Sequence, residues 1–130
     1  MKYNRKKGIF VILFILMVTG VLYNYLYQDH RNISTEQPSA TLISDEVVLR
    51  FKQDLSAAEE KFLDKTIIIK GSVSELNTND LTLDNMVFCN FTEEISTTIK
   101  ISNNLKIKGR ILGYDELLEI IKLDQCSIVK

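Results

Sequence analysis

Residue types that carry most enzymatic chemistry are scarce in this 130-residue chain. It contains one histidine, His30, and two cysteines, Cys89 and Cys126. A single histidine outside the predicted domain allows neither a Ser-His-Asp nor a Cys-His arrangement, and it leaves too few ligands for a metal cluster. No glycine-rich loop is present that could hold a phosphate group. We therefore predict no enzymatic activity, no bound metal and no cofactor.

Basic side chains and one tyrosine form the other group that could do chemistry, by binding an anionic ligand. Lys106, Lys108 and Arg110 alternate along the chain, which places them on one face of a strand. Single-stranded nucleic acids bind to basic grooves in which aromatic rings stack on the bases. The same alternation is typical of the solvent-facing side of an amphipathic strand. The candidate ligand face comprises Lys70, Lys100, Lys106, Lys108, Arg110 and Tyr114.

The charge distribution disfavours nucleic acid as that ligand. The whole chain has a net charge of −1, but four basic residues precede an apolar segment at the N-terminus. From residue 28 onward there are 12 Lys and Arg against 17 Asp and Glu, a net charge of −5. A polyanion is repelled by this balance, and the chain has no tryptophan on which a base could stack.

An uncharged apolar segment near the N-terminus predicts a membrane anchor. Residues 8–27 contain no charged side chain, and twenty helical residues span the roughly 30 Å hydrocarbon core of a bilayer. Residues 1–7 hold four basic residues, so the positive-inside rule keeps this end in the cytoplasm and exports the rest. A cleaved signal peptide is the alternative, although Thr19-Gly20-Val21 is a poor cleavage site. Residues 28–43 are mostly polar and are expected to form a stalk.

An amphipathic helix is predicted at the start of the domain that spans residues 44–130. Ser44 is a suitable N-cap, and Asp45 and Glu46 would lie in the first turn, near the positive end of the helix dipole. Apolar residues then recur at spacings of three, four and seven, as expected for one helical face over residues 45–62. These apolar residues are Val48, Phe51, Leu55 and Phe62.

After the helix, the apolar residues alternate with polar ones, which predicts five strands. The strands cover residues 67–74, 81–83, 86–91, 105–111 and 117–129. The last strand changes register at Asp124-Gln125, which predicts a β-bulge. Gly71 and Gly109 lie inside the first and fourth strands, where a coiled strand can bend. One helix and five bent strands favour a mainly β, five-stranded OB-fold barrel, with a flat sheet under one covering helix as the alternative.

Several short segments within residues 48–129 are similar to those of a known family. They are Phe62-Leu63-Asp64-Lys65, Ile67-Ile68-Ile69-Lys70-Gly71-Ser72-Val73, Leu81-Thr82-Leu83, Val87-Phe88-Cys89-Asn90-Phe91, Lys106-Ile107-Lys108-Gly109-Arg110, Gly113 and Ile121-Lys122-Leu123-Asp124-Gln125-Cys126-Ser127-Ile128. The sequence resembles the tRNA-anticodon-like (tRNA_anti-like) OB-fold family of small bacterial exported or membrane-anchored proteins. The resemblance implies the OB-fold and transfers no common activity. The family has a glycine turn where this chain has Asn103-Asn104, and asparagine also tolerates left-handed geometry.

The two cysteines fall on inward faces of the third and fifth strands, which are neighbours in an OB-fold. Outside the cytoplasm a disulfide between Cys89 and Cys126 would persist, and its loop closure would contribute roughly 4 kcal/mol in the chain-entropy model. The alternative is two buried free thiols that pack as small apolar groups. A redox-active site is not expected, because the chain has no Cys-x-x-Cys motif.

The combined patterns predict a function in binding. We expect a non-enzymatic, single-pass module with a cytoplasmic N-terminus and a periplasmic OB-fold domain, whose partner is an envelope protein or a small ligand. The alternative function is binding of single-stranded nucleic acid, or another anionic chain, through the basic strand face. A saccharide is a third ligand class, because OB-folds also bind oligosaccharides.

Overall fold

The structure is a computed structural model that describes residues 4–27 and 31–130. The chain divides into two compact units, Met1–Arg31 and Asn32–Lys130. His30, the only histidine, lies outside the described residues.

The first unit contains one long helix, α1, over Arg5–Leu26. Its 22 residues correspond to a length of about 33 Å, and none of its side chains is buried. Its most apolar stretch has a mean hydropathy of 2.3. By length and composition this helix could cross a membrane, and a signal sequence near an N-terminus would have the same properties.

The second unit, as far as residues 31–130 describe it, has two short helices and six strands. In chain order these are β1 (Thr41–Ile43), α2 (Ser44–Gln53), α3 (Leu55–Phe62), β2 (Thr66–Leu76), β3 (Asp80–Leu83), β4 (Val87–Phe91), β5 (Asn104–Asp115) and β6 (Ile120–Val129). The strand order is β1-β2-β3-β4-β6-β5, and β5 also pairs with β2. That last pairing closes strands β2 to β6 into a five-stranded mixed barrel. The OB-fold prediction is therefore confirmed, and the flat sheet is excluded.

The core lies inside the barrel, because apolar residues alternate with polar ones along each strand. In β5, for example, Ile107 and Ile111 are fully buried, whereas Lys106 is exposed. The two helices add aromatic rings to this core, and the ring centroids of Phe51 and Phe62 are 6.1 Å apart.

The predicted single helix over residues 45–62 is instead two helices that meet at Asp54. This residue has an extended backbone, and its side chain accepts a hydrogen bond from the Ala57 N–H, so it is the N-cap of α3. The predicted N-cap role of Ser44 is wrong. Ser44 lies inside α2, and its hydroxyl donates a hydrogen bond to the Lys70 carbonyl on β2 instead.

The segment predicted to be a stalk contributes to the second unit from Asn32 onward. The Ile33 side chain is fully buried, and the Ser39 N–H donates to the Thr66 carbonyl at 2.8 Å. Thr41–Ile43 then pairs in parallel with β2 as β1. The segment is held in the second unit by the buried side chains of Ile33 and Leu42 and by backbone hydrogen bonds to β2.

Irregular backbone occurs near the predicted bulge and the predicted asparagine turn. At Gln125 the φ angle is 47°, and the pairing of β6 with β4 and with β5 shifts register around it, so the bulge is confirmed. In the turn before β5 the left-handed residue is Ser102, with a φ of 73°, rather than either asparagine. The Asn103 side chain instead accepts a hydrogen bond from the Lys100 N–H.

Candidate ligand-binding site

The six predicted ligand-face residues do not form one continuous surface. Lys70 on β2 and Lys106 on β5 are directly opposite in the antiparallel ladder, and both are exposed. Lys100 lies in the loop before β5. Tyr114 lies eight positions along β5 from Lys106 and packs against Phe51, with ring centroids 5.7 Å apart. The structure therefore brings two of the lysines together and leaves Tyr114 elsewhere.

Lys108 and Arg110 already have protein partners. The Lys108 ammonium donates to the Ser34 carbonyl at 3.1 Å. Arg110 makes two hydrogen bonds to the Asp124 carboxylate, of which the Nε bond is 2.9 Å long, and it also forms an ion pair with Asp64 at 3.6 Å. These contacts occupy both cations with the protein's own acceptors, so they offer less to a ligand.

A pocket of about 400 Å³ lies beside the Lys70–Lys106 pair, and we call it the lysine pocket. Between them, the β1–α2 junction, β2, the turn after β3 and the start of β5 supply its lining. Its polar lining residues are Ser44, Asp45, Lys70, Ser72, Asp84, Asn104 and Lys106, and Ile43, Gly71 and Leu105 complete it.

The wall of the lysine pocket is held by hydrogen bonds and by a close approach at Gly71. Both oxygens of the Asp84 carboxylate lie 3.3 Å from the Ser72 nitrogen, whose N–H donates to them. A Cβ atom at Gly71 would clash with the Ser44 hydroxyl and the Asp84 carboxylate. The absence of a side chain at Gly71 therefore lets α2 and the turn after β3 approach the strand.

The charges in the lysine pocket are mixed. Lys70 and Lys106 face each other across two strands, where like charges repel. Within the described residues, neither lysine forms an ion pair that would offset this repulsion. Asp45 and Asp84 contribute two carboxylates to the same lining. The pocket therefore offers two cations for an anionic group and two acceptors for hydroxyl or amino groups.

A second pocket of about 400 Å³ lies at the other end of β5, and its lining includes Tyr114, Asp115 and Lys122. The Lys122 ammonium is 3.2 Å from the Asp115 carboxylate. A hydrogen bond from the Leu118 N–H, together with the one from Lys122, holds the pKa of Asp115 below its ordinary value. This pocket is consequently bordered by an ion pair that is already formed.

Phe88 is an outward-facing aromatic residue that the candidate ligand face does not include. Its neighbours Val87 and Cys89 are fully buried, whereas Phe88 is half-buried and lies opposite Thr82 on β3 and Lys122 on β6. It does not pack against the core cluster. The alternation in Val87-Phe88-Cys89 could have revealed it, because two inward residues place the residue between them outside.

Among the described residues, no group of three His, Cys, Asp or Glu side chains is arranged to hold a metal ion. The lining of the lysine pocket includes neither histidine nor cysteine. Its chemistry is therefore that of ammonium, carboxylate, hydroxyl and amide groups, which suits the binding of a polar ligand.

Comparison with known proteins places this architecture in a family. A solved structure from Klebsiella pneumoniae subsp. pneumoniae, described as a "putative nucleic acid-binding lipoprotein", is similar to this chain with a TM-score of 0.53. The two share 13% sequence identity over 79% of this chain and 100% of that chain, a likeness that shows the fold alone. None of the curated proteins matches this chain. The model of the tRNA_anti-like family matches residues 1–125, so the chain belongs to the tRNA_anti-like family.

Proposed function

We propose that this chain is a non-enzymatic, membrane-anchored OB-fold module of the cell envelope that binds a small polar ligand. The observation that carries the binding part of this proposal is the lysine pocket, in which Lys70 and Lys106 face each other beside two carboxylates. A ligand that carries an anionic group would relieve the repulsion between the two ammonium groups. Its hydroxyl or amino groups could donate to Asp45 and Asp84.

The N-terminal sequence supports the anchoring part of the proposal. The helix α1 has no buried side chain and a length that matches a bilayer, and Arg5, Lys6 and Lys7 lie at its N-terminal end. A cluster of basic residues on that side favours a cytoplasmic N-terminus and an exported barrel.

The ligand part can be tested by NMR titration of the full chain in detergent micelles. The probes are inorganic phosphate, a nucleoside monophosphate and a hexose phosphate. We expect at least one to shift the amide signals of residues 70–72 and 104–106. The double variant Lys70→Gln/Lys106→Gln should lose these shifts, whereas Lys65→Gln, which replaces an exposed lysine outside the pocket, should keep them.

Two results would contradict this ligand proposal. One is the absence of shifts in residues 70–72 and 104–106 with all three probes at millimolar concentration. The other is a set of shifts that the double variant leaves unchanged, because the two ammonium groups would then take no part in binding.

The second candidate function is binding of single-stranded nucleic acid, and Phe88 is the observation that favours it. OB-folds bind oligonucleotides on the face of their second and third strands, which are β3 and β4 in this barrel. Phe88 lies on the outside of β4, where a base could stack on its ring. The net charge of −5 from residue 28 onward opposes this function.

Fluorescence anisotropy with a labelled single-stranded DNA at low salt tests this second candidate. If bases stack on Phe88, Phe88→Leu should weaken binding by about tenfold, since one stacked base contributes ~1–3 kcal/mol. Phe88→Tyr keeps an aromatic ring and should bind as the original chain does. No anisotropy change for the original chain at low salt would exclude this function.

A further inference from the structure

Two thiols lie inside the barrel and take no part in the proposed binding site. Cys89 is on β4 and Cys126 is on β6, and these strands are parallel neighbours. The exposed fractions of the two side chains are 0% and 6%. Both cysteines are free thiols in the structure.

The β-bulge in β6 is what turns Cys126 toward Cys89. In the β4–β6 ladder Cys89 is paired with Leu123, and the next pair is Phe91 with Cys126, so one extra residue lies on β6 between these pairs. The left-handed backbone at Gln125 accommodates that residue. Without the bulge, alternation from the inward Leu123 would place Gln125 inside and Cys126 outside.

The neighbouring strand β5 leaves room for the Cys126 sulfur. A Cβ atom at Gly109 on β5 would lie 2.7 Å from Cys126 Sγ, so a side chain at this position would displace the thiol. The two thiols are close enough to interact, and each donates a hydrogen bond to a backbone carbonyl of its own strand, Cys89 to Val87 at 3.8 Å and Cys126 to Asp124 at 3.7 Å. The bulge and the glycine together therefore place both thiols in the same apolar core.

We propose that Cys89 and Cys126 form an intramolecular disulfide when the chain folds under oxidising conditions, and that this bond ties β4 to β6. A thiolate of one cysteine attacks a disulfide donor and forms a mixed disulfide, and the other cysteine then displaces the donor's remaining thiol. Each cysteine loses one proton, the two sulfurs lose two electrons, and the donor disulfide is reduced to two thiols. Glutathione disulfide can serve as the donor in the test.

The bond has to form before the barrel closes. Disulfide exchange requires a thiolate and access to the donor, and both are lost in the folded core. The interaction with the neighbouring Cys126 thiol and burial raise the pKa of the Cys89 thiol well above its ordinary value. Once folded in the reduced form, the protein should therefore resist oxidation.

The test refolds the reduced full chain from guanidinium into detergent buffer that contains oxidised and reduced glutathione. The product is unfolded without reductant, treated with a maleimide and weighed by mass spectrometry. We expect a mass two hydrogens below that of the reduced chain and no maleimide adduct. Cys89→Ser and Cys126→Ser should each accept one maleimide or carry one glutathione, which verifies the labelling.

A parallel sample tests whether the disulfide has to form before the barrel closes. In this sample, reduced protein that is already folded is placed in the same glutathione buffer. It should oxidise roughly tenfold or more slowly than the unfolded chain. Two maleimide or two glutathione adducts after refolding would overturn the disulfide, and equal oxidation rates for folded and unfolded protein would overturn the order of events. Because the experiment is done in vitro, its outcome does not depend on whether the domain is exported.

Discussion

Gly71 is the residue that allows α2 and the turn after β3 to meet at the lysine pocket. Gly71→Ala would bring a methyl group into the Ser44 hydroxyl and the Asp84 carboxylate, so we expect it to destabilise the domain by about 1–3 kcal/mol. Gly113→Ala is the matched control, because nothing lies within 4 Å of the added Cβ, and it should change stability by less than about 0.5 kcal/mol. Thermal unfolding followed by circular dichroism measures both. Equal stability of the two variants would contradict the close approach at Gly71.

Arg110 is expected to stabilise the barrel rather than to bind a ligand. Its side chain and that of Asp124 are 25% and 21% exposed, and the bidentate pair links β5 to β6 at the bulge. Arg110→Gln should therefore reduce the free energy of unfolding by about 1 kcal/mol, and by less at high salt. Lys106→Gln, which breaks no ion pair, should leave stability within about 0.5 kcal/mol in the same denaturant titration. If both variants were equally stable, the Arg110–Asp124 pair would be energetically silent.

At the residue scale, alternation predicts which side of a strand faces water but not which groups meet there. It placed Lys106, Lys108 and Arg110 on one face of one strand. It could not show that Arg110 would pair with Asp124, because that contact depends on how the bulge in β6 sets the register. The same alternation predicts that Phe88, which lies between the inward residues Val87 and Cys89, faces outward. The candidate ligand face nevertheless includes Tyr114 as its one aromatic residue and leaves Phe88 out.

Among the helices and turns, Asp54 separates α2 from α3 and caps the second helix. Asp54→Ala should reduce the free energy of unfolding by about 1 kcal/mol, because the Ala57 N–H loses its acceptor. Asp54→Asn keeps an oxygen acceptor and should remain close to the original stability. Guanidinium titration of the three proteins gives the comparison, and a loss of equal size in both variants would mean that charge rather than capping matters.

The spacing of apolar residues over 45–62 predicts which residues enter the core, but it does not predict where one helix ends and the next begins. Phe51 and Phe62 have the spacing of one helical face, and both are indeed in the core. The break at Asp54 leaves that period nearly intact, so periodicity alone does not reveal it. The capping side chain was the available signal, since aspartate is a preferred N-cap.

The turn between β5 and β6 is ordered by Asp115, which predicts a pH dependence. Its carboxylate accepts hydrogen bonds from the Leu117 and Leu118 N–H groups, both at 3.1 Å, and one from Lys122. These donors lower the pKa of Asp115 below its ordinary value of 3.8. The stabilisation that the ionised Asp115 carboxylate gives the fold is therefore complete at pH values above the ordinary pKa of aspartate. It is lost as the pH falls through the lowered pKa of Asp115.

NMR titration of the Leu117 and Leu118 amide signals measures this effect. We expect a midpoint below the ordinary pKa of aspartate. Lys122→Gln should move the midpoint upward because one donor is removed, and Asp115→Asn should abolish the transition. A midpoint at or above the ordinary value in the original chain would show that the turn does not stabilise the carboxylate.

For the whole molecule, the barrel could be predicted because apolar and polar residues alternate along most of its strands, and because Gly71 and Gly109 lie inside strands at close contacts. The short strand β1 was not predicted. Thr41–Ile43 is only three residues long and follows polar sequence, and its conformation depends on pairing with Ile68–Lys70 far along the chain. Non-local pairing of this kind leaves no local periodic signal. The lining of the lysine pocket includes Ile43, Ser44 and Asp45 at the junction of β1 and α2. Because β1 could not be predicted, the full lining of the pocket could not be predicted either.

The orientation proposed for the N-terminal helix concerns the whole chain, and charge reversal tests it. A single exposed cysteine introduced by Ser56→Cys can report the side on which the domain lies, because Cys89 and Cys126 are buried and should react little. A membrane-impermeant maleimide should label this variant from outside the inner membrane in cells with a permeabilised outer membrane. Replacing Lys2, Arg5, Lys6 and Lys7 by Glu should abolish the labelling, since the positive-inside rule then no longer holds the N-terminus in the cytoplasm. If the Ser56→Cys variant with its original basic N-terminus were labelled only after cell lysis, the proposed export of the domain would be contradicted. Intact mass of the membrane-bound product distinguishes an anchor from a cleaved signal peptide. A product that retains residues 1–27 indicates an anchor, and a product that lacks them indicates cleavage.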